Sequence, residues 1–191
     1  MKLQVIIGSL RPNRFADKPA QWIAQEARKR EGVEVELVDL KDYSLPFFAE
    51  PVPPARMKGN YPNPEVARWS KKVAEADGYI MVTPEYNHGP SAVLKNALDH
   101  LYPEWNRKPA GFVGYGGVGG ARAIEQLRLI AVELEMAPIR PAVHISTDVY
   151  SAVTSGKPDA FDSMKASADK FLDQLLWWAR ALKTAREQDT K

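Results

Sequence analysis

Runs of apolar residues spaced along the chain predict the strands of one parallel sheet. Residues 3–7, 78–83 and 109–115 are almost continuously apolar, which is typical of strands that are buried on both faces. Residues 33–38 alternate more between apolar and polar positions, so we expect this strand to lie nearer an edge. Residues 141–145 predict a fifth strand.

Between these strands, apolar residues recur every three or four positions and predict five helices. They cover residues 17–30, 66–74, 93–101, 121–134 and 161–182. Strands that alternate with helices indicate an α/β fold with a doubly wound, five-stranded parallel sheet and helices on both faces. For a chain of this length we expect the strand order 2-1-3-4-5, with right-handed crossovers between the parallel strands. We expect one domain over residues 1–185, followed by a polar tail at residues 186–191.

This strand order predicts where a ligand binds. The chain reverses direction between the first and third strands, and ligands of doubly wound sheets bind there, outside the carboxyl ends of the strands. The loops after those two strands, joined by the loop after the fourth, should therefore carry the functional residues. All three loops have unusual sequences.

The loop after the first strand, residues 8–17, is suited to a phosphate group. It opens a helix, so it presents free backbone N–H groups and the positive end of the helix dipole. Ser9 adds a hydroxyl group, and Arg11 and Arg14 add guanidinium groups of the kind that bind phosphate. The alternative is a surface turn with solvated arginines. The G-x-x-x-x-G-K-[ST] pattern of nucleoside-triphosphate hydrolases is missing, which argues against that activity.

The loop after the third strand, residues 83–91, is suited to a flat heterocycle. Two prolines and a glycine restrict its backbone. Tyr86 could cover a ring, and Asn87 could donate and accept hydrogen bonds at the edge of that ring. His88 is a candidate acid or base, but a single histidine in a loop is more often a bystander. Ser91 is expected to cap the following helix.

The loop after the fourth strand, residues 114–120, contains the pattern G-x-G-x-x-G. As a dinucleotide fingerprint this pattern is weak, because it lies outside the first strand–helix unit and lacks an acidic residue at the end of the next strand. We interpret the glycines as allowing the backbone close to a planar ring. The alternative is a mobile turn.

Composition and charge exclude several other classes of protein. Of the 191 residues, 45% are hydrophobic and 26% are charged, as in ordinary globular proteins. The net charge of +2 gives no field to hold nucleic acid or an anionic membrane, and no apolar run suits a signal peptide or a membrane span. The chain has no cysteine, and therefore no disulfide, thiol nucleophile or thiolate metal site. We expect a cytoplasmic protein with no metal, nucleic-acid or membrane partner.

A proline-rich segment at residues 44–64 is long for a loop inside a compact domain, and loops of this length are often functional. Phe47 and Phe48 argue against a solvated linker, because exposed neighbouring phenylalanines usually have a partner. We therefore expect these two rings to pack against a partner surface.

With these three loops, the chain resembles the NADPH-dependent FMN reductase family, which includes quinone-, chromate- and azo-reducing flavoproteins. The motifs that carry the resemblance are G-S-L-R at residues 8–11, P-E-Y-N at residues 84–87 with P-S-A-V-L-K-N-A-L-D after it, and Y-G-G-V-G-G at residues 115–120. The P-E-Y-N motif with its small-residue helix is the most specific of them, and the glycine loop is the least. The resemblance covers residues 2–145 and implies a flavodoxin-like fold that binds FMN without a covalent bond.

The resemblance also implies a role for each loop. Ser9 and Arg11 bind the FMN phosphate, helped by donors in the residues that follow, while the second loop lines the isoalloxazine ring and the third approaches its other side. The implied cofactor-binding residues are Ser9, Arg11, Asn13, Arg14, Phe15, Ala16, Pro84, Glu85, Tyr86, Asn87, Tyr115, Gly116 and Gly117. Some relatives carry another hydroxyl or amide residue late in the phosphate loop, where this chain has Phe15-Ala16-Asp17.

The activity implied by the resemblance is a ping-pong transfer of electrons. NADPH or NADH reduces the bound FMN and leaves, and a quinone, a flavin or a similar small acceptor then takes the electrons. The flavin performs the chemistry, so no catalytic side chain is expected. Related enzymes form dimers or tetramers with the flavin near a subunit interface, and residues 45–48 would suit a wall of a neighbour's site. The alternatives are an electron-carrier flavodoxin, which typically has a Thr/Ser-rich phosphate loop and an acidic surface, and a flavin-binding regulator without turnover.

Overall fold

The structure, a computed structural model, describes residues 1–189, in which six strands pair in parallel as one sheet. The strands are β1 (Lys2–Ile7), β2 (Glu34–Asp39), β3 (Gly78–Pro84), β4 (Pro109–Tyr115), β5 (Ala137–Pro138) and β6 (Val143–Ile145). Their order is β2-β1-β3-β4-β5, and β6 also pairs with β4. The predicted doubly wound sheet of order 2-1-3-4-5 is therefore confirmed.

Two short strands share the place at the sheet edge where the sequence predicts one. β5 pairs with the start of β4, and β6 pairs with its end. Pro138 and Pro141 have no N–H group to donate to a strand ladder, so the pairing is interrupted between the two segments. The predicted fifth strand at residues 141–145 is shortened to β6 for this reason.

Helices connect the strands and cover the sheet. They are α1 (Asp17–Arg28), α2 (Pro54–Met57), α3 (Pro64–Ala74), α4 (Ala92–Asp99), α5 (Ala121–Glu133), α6 (Thr147–Thr154) and α7 (Lys165–Asp189). The five predicted helices correspond to α1, α3, α4, α5 and α7, whereas α2 and α6 are short and were not predicted. Among the helices of residues 1–189, none is both long enough and apolar enough to cross a membrane.

The helices form one layer on each face of the sheet, as predicted. α1 and α7 bury residues such as Ile23 and Phe171 on one face, and α3, α4 and α5 bury residues such as Trp69 on the other. Successive residues of β1 face opposite layers: Val5 packs with the first layer and Ile6 with the second. Because both faces are covered, β1 needs apolar residues at successive positions, and this explains its continuous apolar run.

The last helix extends beyond the segment that its apolar spacing predicts. The sequence predicts a polar tail at residues 186–191, but α7 continues to Asp189. Arg186 anchors this end, because its guanidinium donates to the Arg107 carbonyl at 2.7 Å and to Asp77 at 3.0 Å. The last two residues of the predicted tail lie outside the described residues, and the domain boundary at residue 185 stays a prediction.

Candidate cofactor site

Three loops leave the carboxyl edge of the sheet next to one another. We call residues 8–16 the β1 loop, residues 85–91 the β3 loop and residues 116–120 the β4 loop. The first two are joined, because Ser91 Oγ donates a hydrogen bond to the Gly8 carbonyl at 2.5 Å. Ser91 also caps α4, as predicted, since its Oγ accepts from the amide of the third helical residue. These contacts bring the β1 and β3 loops to one side of the sheet edge.

A cavity of about 80 Å³ lies between the β1 loop, the β3 loop and the end of β4. Seven of the residues that line it belong to the predicted set, and Pro12 and Tyr150 are additional. The lining residues are Ser9, Arg11, Pro12, Asn13, Arg14, Phe15, Tyr86, Tyr115 and Tyr150. The predicted phosphate loop and two tyrosines predicted to contact the ring, Tyr86 and Tyr115, therefore share one cavity.

The backbone amide of Ala16, at the end of the β1 loop, is buried without a partner. Ala16 is fully buried, and within residues 1–189 no group accepts a hydrogen bond from its N–H. It is the residue before α1, where free N–H groups and the helix dipole favour an anion. Ala16 does not line the cavity, so a ligand would reach its amide only if the β1 loop moved.

The guanidinium group of Arg14 is occupied within the protein. Its Nη1 donates to the Ser9 carbonyl at 2.5 Å and to Asp39 Oδ1 at 2.8 Å, and its Nε donates to Asp17 Oδ1 at 2.7 Å. Only 3% of the Arg14 side chain is exposed. Arg14 borders the cavity, but its charge is directed at Asp39 and Asp17. Of the predicted cofactor-binding residues, Arg14 is therefore one that shapes the loop.

The same contacts decide the charge of Asp39. Burial acts to raise the pKa of Asp39, but the hydrogen bonds from Arg14 and from the Lys41 amide outweigh it and hold that pKa below its ordinary value. Asp39 is the last residue of β2. The ion pair therefore ties the β1 loop to the end of the neighbouring strand.

Arg11 differs from Arg14 in having no ion pair among the described residues. Its side chain is exposed and lies with its guanidinium carbon 6.0 Å from the centre of the Tyr86 ring. An exposed guanidinium at the mouth of the cavity remains available for a phosphate group, which is the role predicted for Arg11.

The tip of the β3 loop is a tight hairpin. The backbone groups of Tyr86 and Gly89 exchange two hydrogen bonds of 3.0 Å, and the two residues between them, Asn87 and His88, have φ angles of 47° and 70°. Positive φ at both central residues is the signature of a type I′ turn, which favours asparagine. The hairpin holds Tyr86 and Asn87 in place, and the exposed ring of His88 lies 2.7 Å from Arg122 Nη1.

Glu85 links the β3 loop to α5. Its carboxylate accepts hydrogen bonds from the backbone amides of Arg122 (3.0 Å) and Ala123 (3.4 Å), and from Arg122 Nε at 2.5 Å. Burial acts to raise the pKa of Glu85, but these bonds outweigh it and lower that pKa. Glu85 thus caps α5, whose own N-cap, Gly120, provides no side chain. Its carboxylate is directed at the helix and its N–H donates to the Tyr115 carbonyl at 2.9 Å, which leaves its own carbonyl for the predicted ring contact.

The glycines of the β4 loop have different roles. A Cβ atom on Gly120, where φ is 73°, would lie 2.7 Å from the backbone of Gly114, so close packing requires glycine there. A Cβ atom on Gly116 would lie 3.0 Å from Glu85 Cβ. A Cβ atom added to Gly117 would have no described atom within 4 Å, apart from Gly117 itself and its two chain neighbours. Of the predicted glycines, Gly117 is therefore the one with free space for a ring.

The sequence pattern did not predict Tyr150, which α6 places against the cavity. The helix begins after Ser146, whose Oγ accepts from the Val149 amide at 3.4 Å. A serine followed by apolar residues at positions 149 and 153 is the signal that could have indicated this helix. Within residues 1–189, no group of three or more acidic or histidine side chains is placed to hold a metal ion.

Comparison with known protein families decides the class of the chain. The family model for NADPH-dependent FMN reductases matches residues 1–149. The chain belongs to this family. Membership confirms the predicted enzyme class, a flavin-dependent oxidoreductase with FMN as cofactor and NAD(P)H as co-substrate. The contacts of individual residues with FMN stay predictions.

Relatives and solved structures agree with the family. An NAD(P)H-dependent FMN reductase of Schizosaccharomyces pombe is 40% identical over 149 residues, which cover 77% of this chain and 74% of the relative. A 2-hydroxy-1,4-benzoquinone reductase of a Burkholderia species is 30% identical over 94% of this chain and 97% of its own length. The structure of a flavoenzyme NAD(P)H:(acceptor) oxidoreductase from Paracoccus denitrificans superposes with a TM-score of 0.69 at 22% identity, and the match covers 94% of this chain and 97% of that one. This last likeness supports the flavodoxin-like fold.

Asp39→Asn should lower the free energy of unfolding of the flavin-free protein by about 1–3 kcal/mol at neutral pH. Arg14 then keeps a buried positive charge without its main anionic partner, although the 26% exposure of the Asp39 side chain limits the loss. Urea unfolding measures the change. Asp173→Asn is the control, because Asp173 pairs with Arg30 but its side chain is 66% exposed, and it should change stability by less than about 0.5 kcal/mol.

The effect of Asp39→Asn should also depend on pH. Because folding lowers the pKa of Asp39, its contribution to stability is present above the ordinary carboxyl pKa of about 4 and is lost as the pH falls through the lowered value. The difference between the wild type and the variant should therefore shrink in acid. A difference that is absent at neutral pH, or that stays constant into acid, would contradict the role of this pair.

Proposed function

We propose that the protein transfers electrons from NAD(P)H, through bound FMN, to small acceptors such as quinones or free flavins in a ping-pong cycle. The family match and the names of the relatives, which include FMN reductases and a benzoquinone reductase, support the reaction class. The observation that carries the proposal is the cavity beside the start of α1, which is lined by Ser9 and by the exposed side chain of Arg11.

The β1 loop would hold the phosphate of FMN. Ser9, Arg11 and Asn13 line the cavity, at the start of α1. A phosphate dianion is bound well by charge-assisted hydrogen bonds from such donors at the start of a helix. Arg14 acts indirectly, because its bonds to Asp39 and to the Ser9 carbonyl hold the loop in this shape.

The β3 and β4 loops would hold the flavin ring. Tyr86 and Asn87 stand on the rigid hairpin, and Gly117 leaves open space on the neighbouring loop. Glu85 fixes the distance between these two loops through its bonds to α5. When bound, FMN supplies the redox chemistry, accepting a hydride equivalent from the nicotinamide and releasing electrons to the acceptor.

No side chain needs to act as an acid or base in this scheme. His88, the one candidate that the sequence suggested, is exposed and contacts Arg122. Water at the open side of the site can supply and remove protons. The protein's part is to bind and orient the flavin, and its location is proposed to be cytoplasmic.

The proline-rich segment is proposed to contribute to a homodimer or homotetramer. The carbonyl of Pro46 accepts a hydrogen bond from Asn96 Nδ2 and lies in hydrogen-bond contact with His100 Nε2, both at 2.8 Å, so the segment is anchored to α4 and the residue after it. Phe48 packs edge-on against His100. Phe47 is 83% exposed, which leaves its ring available for a partner subunit near the flavin.

Purified protein reconstituted with FMN should oxidise NADPH or NADH, and addition of a quinone should increase the steady-state rate. A family of parallel double-reciprocal lines, obtained by varying both substrates, would support the ping-pong cycle. Stopped-flow reduction of the flavin checks the first half-reaction separately. Tight FMN binding without any acceptor-stimulated turnover would contradict the enzyme proposal and favour an electron carrier or a regulator.

Arg11→Ala should weaken FMN binding by about 10- to 100-fold, because a charge-assisted contact to phosphate is worth roughly 1.5–3 kcal/mol. Titration of flavin-free protein, followed by flavin fluorescence, measures the change. Arg28→Ala is the matched control: Arg28 lies in the last turn of α1, away from the β1 loop, and donates to the Val35 carbonyl. Full flavin content in Arg11→Ala would contradict the phosphate assignment.

Phe47→Ser should weaken the assembly without unfolding the subunit, because the Phe47 ring is exposed and removing it leaves no cavity in the core. Sedimentation velocity over a range of concentrations measures the assembly. Val52→Ser is the control, since Val52 is a second exposed apolar residue of the same segment, at 42% exposure. An unchanged oligomer with unchanged kinetics would reject the interface role of Phe47.

A further inference from the structure

Aromatic side chains from three parts of the chain meet at the phosphate end of the cavity. The ring of Phe15, in the β1 loop, lies 4.4 Å from the ring of Tyr150 in α6 and 5.0 Å from the ring of Tyr115 in β4, measured between ring centres. All three residues line the same cavity as Ser9 and Arg11. The cavity is therefore walled by residues from the beginning and from the last quarter of the chain.

The side chain of Tyr150 is partly packed against the protein and partly exposed to solvent. One part of its ring packs on Phe15, while 41% of the residue is exposed. Within residues 1–189, no group lies in hydrogen-bond contact with its hydroxyl. Tyrosine at such a position combines an apolar wall with a polar tip that can donate a hydrogen bond to a ligand.

The β1 loop alone offers few side-chain hydrogen-bond donors for a phosphate group. A phosphate dianion offers three oxygens that each accept hydrogen bonds. Arg14 is occupied by Asp39 and the Ser9 carbonyl, and Phe15 has no polar side-chain atom. The side-chain donors that remain in the β1 loop itself are those of Ser9, Arg11 and Asn13. A further donor from outside the loop would complete the binding of the phosphate.

We propose that Tyr150 is an FMN-binding residue, whose ring closes the phosphate end of the cavity on Phe15 and whose hydroxyl donates a hydrogen bond to the phosphate. Tyr150 is the first residue after the segment that the family model matches, so the match does not assign it a role. The inference rests on the proposed FMN site and adds a specific contact to it. α6 positions the side chain, because Ser146 caps the start of this helix and Val149 is buried against the core.

Tyr150→Phe tests the contact by removing one oxygen and keeping the ring. Flavin-free protein is titrated with FMN and, in parallel, with riboflavin, which has the same ring system without the phosphate. The variant should bind FMN about tenfold more weakly than the wild type, as expected for one hydrogen bond to a charged group, and should bind riboflavin unchanged. Circular dichroism and the urea midpoint should match the wild type, since the hydroxyl has no partner in the protein.

Tyr102→Phe is the matched control, because it removes a hydroxyl that bonds Glu135 at 3.3 Å, away from the cavity lining, and it should leave both affinities unchanged. Equal FMN affinity in Tyr150→Phe and the wild type would overturn the inference, and so would an equal loss of affinity for FMN and riboflavin. If the wild type itself binds no FMN, the proposed function fails. These results are distinguishable because the wild-type titration is read independently of the variant.

Discussion

The ion pair between Arg14 and Asp39 is the constraint on which the shape of the β1 loop depends. A guanidinium group with 3% exposure requires anionic partners, and Asp39 and Asp17 provide them. Because Arg14 also holds the Ser9 carbonyl, the loop closes around its own arginine. The chain thereby uses a charged side chain to set the backbone that faces the ligand, while Arg11 beside it stays exposed for the ligand itself.

The fold followed closely from the apolar pattern wherever an element is buried on both sides. β1, β3 and β4 are continuous apolar runs because helices cover both faces of the sheet. At the sheet edge the pattern was less informative, since Pro138 and Pro141 divide the pairing without changing the apolar character of the segment. α6 was missed because its eight residues present few buried positions, of which Val149 is the clearest.

The position of the cavity at the carboxyl edge of the sheet could be predicted more fully than the direction of the side chains around it. Sequence placed Arg14 and Glu85 in the loops, but their charges are satisfied by Asp39, 25 residues away, and by Arg122, 37 residues away. Nothing local distinguishes an arginine that faces a ligand from one that faces a distant carboxylate. Tyr150 was missed for the same reason, because only the packing of α6 on Phe15 brings it to the cavity.

A pocket walled by residues that lie as far apart in the chain as Ser9 and Tyr150 also has a consequence for synthesis. While only the first half of the chain has left the ribosome, Tyr115 and Tyr150 have not yet been synthesised, so the cavity lacks two of its lining residues. Its walls are complete once α6 has packed against Phe15. A ligand held there favours the fully folded state, by about 2.7 kcal/mol at a concentration 100 times its dissociation constant. A ligand that needs all of these walls would therefore bind the folded domain rather than a partly synthesised chain.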